Sequence, residues 1–168
     1  MNEKMIKNRR HKAVALFAGL LSLFCLFSCD QREPYFQYNE LKEAAWKQHD
    51  TLFFTIDSAS YEVGIPYNLY LEVTNNVNYP YQNIWFFTWD NVVNDSVYEH
   101  REKEYSLADE FGKWNGEGFG SLYQSTFMYK DHVVFVKNRD VQIKILHGMR
   151  DEELSGIEKI GIRLSYKR

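Results

Sequence analysis

"EKIGIRLSYKR", residues 158–168, puts Ile160, Ile162, Leu164 and Tyr166 on one side and Gly161, Arg163, Ser165 and Lys167 on the other. Successive side chains of a strand point to opposite faces, so this period of two predicts a half-buried β-strand. The same alternation runs outward through the chain. "VQIKILH" (141–147) alternates Val141, Ile143 and Ile145 with Gln142 and Lys144; "YNLYLEVTN" (67–75) aligns Tyr67, Leu69, Leu71 and Val73; "TLFFTID" (51–57) aligns Leu52, Phe54 and Ile56. "IWFFTWDN" (84–91) is apolar on both parities, which predicts a strand covered on both faces. Short strands, turn residues between them and no amphipathic helix predict an all-β fold: an antiparallel β-sandwich, jelly-roll or immunoglobulin-like, of about seven to nine strands.

Upstream of the strands the composition changes twice. Residues 1–28 read as a lipoprotein signal peptide: Lys4, Lys7, Arg9, Arg10 and Lys12 precede the uncharged run Ala13–Ser28. Sixteen residues of helix reach about 24 Å, short of a ~30 Å hydrocarbon core, so the run fits a cleaved secretory segment. "LFSC" places Leu26 three residues before Cys29 and Ser28 directly before it, the pattern of bacterial lipoprotein processing. The Cys29 thiol is expected to carry diacylglycerol and its new amino group a further acyl chain, making a lasting anchor. Residues 29–50 then read as a lipidated tether followed by a short helix in "NELKEAAWKQHD", with Asn39 as its cap. The sandwich is expected over 51–168.

The chain has two cysteines, Cys25 and Cys29. One leaves with the signal and the other is acylated, so neither a disulfide nor a thiolate metal site is expected. The whole chain carries −3 and its first 28 residues +4, which leaves −7 on the remainder. That balance argues against nucleic acid as a partner.

"GKWNGEGFG" (112–120) resembles a phosphate loop only superficially. A Walker loop needs glycine five residues before its Gly-Lys pair and Ser or Thr after it, where Leu107 and Trp114 stand. "DEFG" (109–112) is instead a turn signal joining "KEYSLA" to "KWNGEGFG" as a hairpin. On a second strand, Trp114, Gly116, Gly118 and Gly120 share a face bare of side chains after the tryptophan. Such a stripe implies close packing by one of the chain's own aromatics, or a shallow groove for a partner. Tyr79, Tyr81 and Trp85, in a loop and strand rich in aromatics, are the other candidate contact residues.

Catalytic and metal constellations are weak. His147 and Arg150 lie close in sequence, but no nucleophile elbow accompanies them, and Arg150 is expected to bond loop carbonyls or Asp109. The histidines show no paired zinc spacing. Asp90, Asp95, Asp131 and Asp140 fall in expected loops without a calcium-binding pattern. No metal, no catalytic residue and no cofactor other than the lipid on Cys29 is expected.

Three segments taken together, "YPYQNIWFF" (79–87), "SLADEFGKWNGEGFGSLY" (106–123) and "HGMRDEELSGIEKIGIRL" (147–164), with the lipobox at Cys29, resemble the gliding-motility lipoprotein GldH family of the Bacteroidetes. The resemblance implies a non-enzymatic cell-envelope lipoprotein of the outer membrane. Its implied partners are other envelope proteins of the motility and secretion machinery, and only Cys29 carries over by role. A carbohydrate- or glycan-binding sandwich on the same anchor is the alternative; it requires a solvent-facing aromatic platform.

Overall fold

The computed structural model describes residues 33–167; the expected signal peptide, residues 1–28, and Cys29 lie outside them. Eleven strands run in chain order: β1 (Tyr35–Glu40), β2 (Ala45–Lys47), β3 (Leu52–Ile56), β4 (Pro66–Asn76), β5 (Asn83–Asp90), β6 (Glu99–Ser106), β7 (Glu117–Phe119), β8 (Leu122–Val134), β9 (Val141–His147), β10 (Glu153–Ser155) and β11 (Ile157–Tyr166). They form a five-stranded sheet, β1-β11-β4-β8-β7, a four-stranded sheet, β3-β9-β5-β6, and a small β10-β2 pair. All pairings are antiparallel. The fold is an antiparallel β-sandwich. Three of the strands are only three residues long, which accounts for the excess over the expected seven to nine.

The alternating positions supply the core. Leu69, Leu71 and Val73 of β4, Ile143 and Ile145 of β9, and Ile160, Ile162 and Leu164 of β11 are fully buried. Burying each such side chain is worth about 1.5–3 kcal/mol, so these strands alone fix which face turns inward.

Three expectations are corrected. The region from Asn39 to Asp50 is not a helix: Lys42–Ala44 is one 3-10 turn without a side-chain cap, and Glu43 has φ 58°. Trp46 is fully buried and its strand pairs with β10, so tertiary packing overrides helix propensity. The sandwich also begins earlier than residue 51, since β1 is already an edge of the five-stranded sheet. β5 is not covered on both faces. Ile84, Phe86, Thr88 and Asp90 point inward, while Trp85 is 39% exposed and Phe87 and Trp89 are half-buried on the outer face.

Register sorts the loops into two ends. At the N-terminal end, where the described chain starts, Tyr35 lies opposite Leu164, and Tyr166, Tyr67 and Val133 form one row. The connections 57–65, 91–98 and 135–140 gather there. The far end holds 41–51, 77–82, 107–121 and 148–156. Along one side the sheets are linked by Asn39 Nδ2, which donates to the Phe53 carbonyl at 3.0 Å; on the other, β6 is an edge strand.

Candidate functional site

The turn at 109–112 forms as its sequence implies. The Gly112 amide donates to the Asp109 carbonyl at 3.0 Å, and Asp109 Oδ1 accepts from the amides of Phe111 and Lys113. Asp109 is thus occupied by its own turn and is no partner for Arg150. The strand expected over 113–120 is interrupted: Ala108 and Trp114 make a single bridge, and only Glu117–Phe119 continues, paired with β8 rather than β6. Between Trp114 and Glu117 the chain changes sheets.

That crossing explains the glycines. A Cβ on Gly116 would lie 2.7 Å from the Gln124 backbone, and one on Gly118 would lie 3.2 Å from the Tyr123 ring. Gly120, at φ +63°, forms the turn with Ser121 that joins β7 to β8. The chain's own β8 covers the first two positions.

The aromatic candidates do come together at the far end. Trp114 packs 5.8 Å from Tyr123 and 6.4 Å from Tyr79, which lies 5.9 Å from Tyr81 between ring centroids. Tyr79 is buried and donates to the Asn83 carbonyl at 2.8 Å; Tyr81 donates to Asp151 Oδ2 at 2.7 Å. Burial raises the Tyr79 phenol above its ordinary range, and the bond to Asp151 raises Tyr81, so both stay neutral donors. Beside them Tyr81, Trp85, Gly148, Met149 and Arg150 line a shallow cleft of about 280 Å³. Two residues that the sequence reading passed over dominate the same end: Phe111 and Phe119 are each 88% exposed. A phenylalanine inside one turn and another directly before the next was the available signal, since turns face solvent.

A larger cleft of about 830 Å³ opens at the N-terminal end, lined among others by Arg101, Tyr129, Lys130 and Arg139. Asp90, expected in a loop, instead ends β5 fully buried. Lys130 Nζ lies 2.6 Å from Asp90 Oδ1 and 2.8 Å from Glu99 Oε2; the Tyr129 hydroxyl donates to Asp90 Oδ2 at 2.6 Å. Arg101 also bonds Glu99, at 2.7 Å, so the two cations and two carboxylates balance. The bond from Lys130 holds Glu99 below the usual carboxylate range. Arg139, not Arg150, is the arginine that bonds carbonyls, those of Asn91 and Val92.

His147 is fully buried beside Trp46, at 5.2 Å between ring centroids, and neither ring nitrogen has a hydrogen-bond partner. Desolvation lowers its pKa, which keeps it neutral in the core. Among the described residues no group of three or more His, Cys, Asp or Glu is arranged to hold a metal ion. No helix among them is long and apolar enough to cross a membrane.

Residues 33–164 match the sequence profile of the GldH lipoprotein family. The chain belongs to that family. It is similar to the gliding motility lipoprotein GldH homolog of Christiangramia forsetii, 27% identical over 90% of this chain and 95% of the relative. It is also similar to the gliding motility lipoprotein GldH of Flavobacterium johnsoniae, 29% identical over 88% and 94%. Among solved structures, a carbohydrate-binding module specific for non-crystalline cellulose aligns over 77% of this chain and 87% of that one, with TM-score 0.36 and 8% identity. A module in complex with β-1,4-galactotriose aligns over 82% and 92%, with TM-score 0.33 and 10% identity. Neither score reaches the level that implies a shared topology. The GldH family match covers both far-end turns and the residues of the Tyr81–Trp85 cleft.

Proposed function

We propose that this GldH-family chain is a non-enzymatic lipoprotein of the cell envelope, anchored in the outer membrane through lipid on Cys29, that binds another envelope protein through the far end of its sandwich. The names of its relatives support a setting in gliding motility. The observation that carries the binding reading is the pair Phe111 and Phe119, each 88% exposed, at the same end of the sandwich as the Tyr81–Trp85–Met149 cleft. Aromatic side chains, phenylalanine among them, are enriched at the cores of protein interfaces. The contact thus falls on the turn tips and the Tyr81–Trp85 cleft rather than on a groove over the glycines, which β8 occupies.

Affinity capture of the lipidated chain from envelopes tests this. Wild type is expected to retain an envelope protein that the Phe111→Ser/Phe119→Ser variant loses; equal capture by both refutes the far-end contact. Cys29→Ala is expected to release the chain from membranes, and unchanged retention refutes the anchor.

The glycan reading has one observation in its favour. Trp85, Phe87 and Trp89 follow one another along the outer face of β5, and Trp89 stacks on His100 at 4.7 Å. A row of rings can stack on sugars. Retarded migration of the protein through polysaccharide-containing gels, abolished by Trp85→Ala, would establish it; unretarded migration removes it.

A further inference from the structure

Seven valines and isoleucines are exposed among the described residues: Val63, Ile65, Val77, Val93, Val97, Val134 and Val136. Six of them, all but Val77, sit at the N-terminal end. They come from three separate connections and the end of β8, drawn together by named contacts. Gly64 donates to the Phe135 carbonyl at 3.0 Å, Pro66 pairs with Val134, and Val93, Val134 and Val136 line one cleft. Tyr61 stacks on Phe135 at 3.9 Å and its hydroxyl donates to the Arg139 carbonyl at 2.6 Å, holding two of the loops in place. The core needs none of these six side chains. Aliphatic residues gathered on one end without a core role mark an interaction surface.

The chain itself says what that surface meets. The first described residue, Glu33, is held at this same end by a 3.0 Å ion pair with Arg163. Cys29 stands four residues earlier, a reach of at most about 14 Å. We infer that the valine collar rests in the surface of the lipid bilayer, so that the anchor and the collar together fix the sandwich upright with its far end turned away from the membrane. This rests on the lipid-anchor reading of Cys29. A collar of branched aliphatics suits a fluid lipid surface, which asks for apolar area and offers no fixed pocket.

Charges at the rim agree with lipid of any headgroup. Lys137 pairs with Asp95 at 3.4 Å and Lys167 with Asp131 at 2.9 Å, which leaves Arg139, bonded to carbonyls, as a single cation of this cleft without a carboxylate partner rather than a cationic patch among the described residues. Contact through the collar is therefore expected to depend little on salt or on phosphatidylglycerol content.

The test uses the lipidated full chain in phosphatidylethanolamine vesicles with and without phosphatidylglycerol. With Cys25 removed and Cys29 acylated, single cysteines at Val93→Cys, Val136→Cys, Phe111→Cys or Phe119→Cys each give one site for an environment-sensitive fluorophore. The chain is expected to float with the vesicles. The labels at 93 and 136 should be blue-shifted and quenched several-fold more by lipid-borne quenchers than those at 111 and 119, in both vesicle types. If the chain floats but all four labels are equally wet, the collar inference fails while the anchor stands. If the chain does not float, both fail. Protection at 93 and 136 that needs an added membrane protein overturns lipid as the occupant. Val93→Asp/Val136→Asp is expected to keep flotation but return a label at Val97→Cys to water; protection unchanged by the two aspartates counts against the collar.

Discussion

The two ends of the sandwich are both apolar, yet in different chemistry. The N-terminal end offers five valines and an isoleucine spread over several loops, with Tyr98 and Tyr166 exposed at the same end; the far end offers two phenylalanines and a cleft edged by Tyr81, Trp85 and Met149. Branched aliphatics carry apolar area and no polar handle. Aromatics with hydrogen-bonding neighbours carry area and orientation, which a specific protein contact needs. In the proposed reading the same fold separates a lipid contact, which needs no fixed geometry, from a protein contact, which does.

The comparison breaks most readily at the N-terminal end. Lys130→Met leaves Asp90, which is fully buried, without its cation. A loss of about 3–5 kcal/mol in urea denaturation is expected, as for other uncompensated buried charges. Asp90→Asn/Lys130→Met together should recover part of it.

Gly116→Val strikes the far end instead, where the new side chain meets the Gln124 backbone. An overpacking cost of about 1–3 kcal/mol is expected. Hydrogen exchange should rise over 107–121 and stay unchanged around Tyr61 and Phe135. Gly118→Val meets only a tyrosine ring that can move, so its effect should be smaller.

A third test uses acid. His147 has its folded pKa lowered beneath the ordinary 6.5 by desolvation, so the stability it contributes is fully present above that value and lost as pH falls below it, because the unfolded chain then takes up the proton first. The thermal midpoint should therefore decline as pH falls below 6.5, and His147→Leu should flatten that decline. Equal slopes in both proteins would show that His147 finds a partner in the core.

The smallest effect on stability is expected from Phe111→Ser and Phe119→Ser. Each should fall within about 0.5 kcal/mol of wild type, as for exposed side chains away from structural features. With stability unchanged, loss of capture by the double variant isolates the far-end contact.

Much of the sandwich was legible because β4, β9 and β11 obey a period of two over seven residues or more. Asn39–Lys47 was not, since its helix-forming composition yields to burial of Trp46 and pairing with β10, neither of which is local. The glycine run was half legible. The turn at 109–112 is written in Asp109 and Gly112, but a change of sheet between Trp114 and Glu117 leaves parity intact and so escapes any periodic reading. The outer face of β5 was misread for a related reason: aromatics on an open sheet face look, in sequence, like aromatics in a core. "HVVFVKN" hides the collar in the same way, since Val134 and Val136 alternate with the buried Val133 and Phe135.

β6 reads Glu-His-Arg-Glu-Lys-Glu from Glu99 to Glu104, and most of it is exposed along an unpaired sheet edge. For a chain tethered to a membrane this matters more than it would in free solution. Confinement to a plane makes neighbouring copies meet side-on repeatedly, at crowding that an open strand edge would convert into sheets running from molecule to molecule. A charged edge keeps its water and refuses that pairing. A strand that gives the core little beyond Tyr105 is thus suited to keep a crowded surface of these molecules a population of individuals.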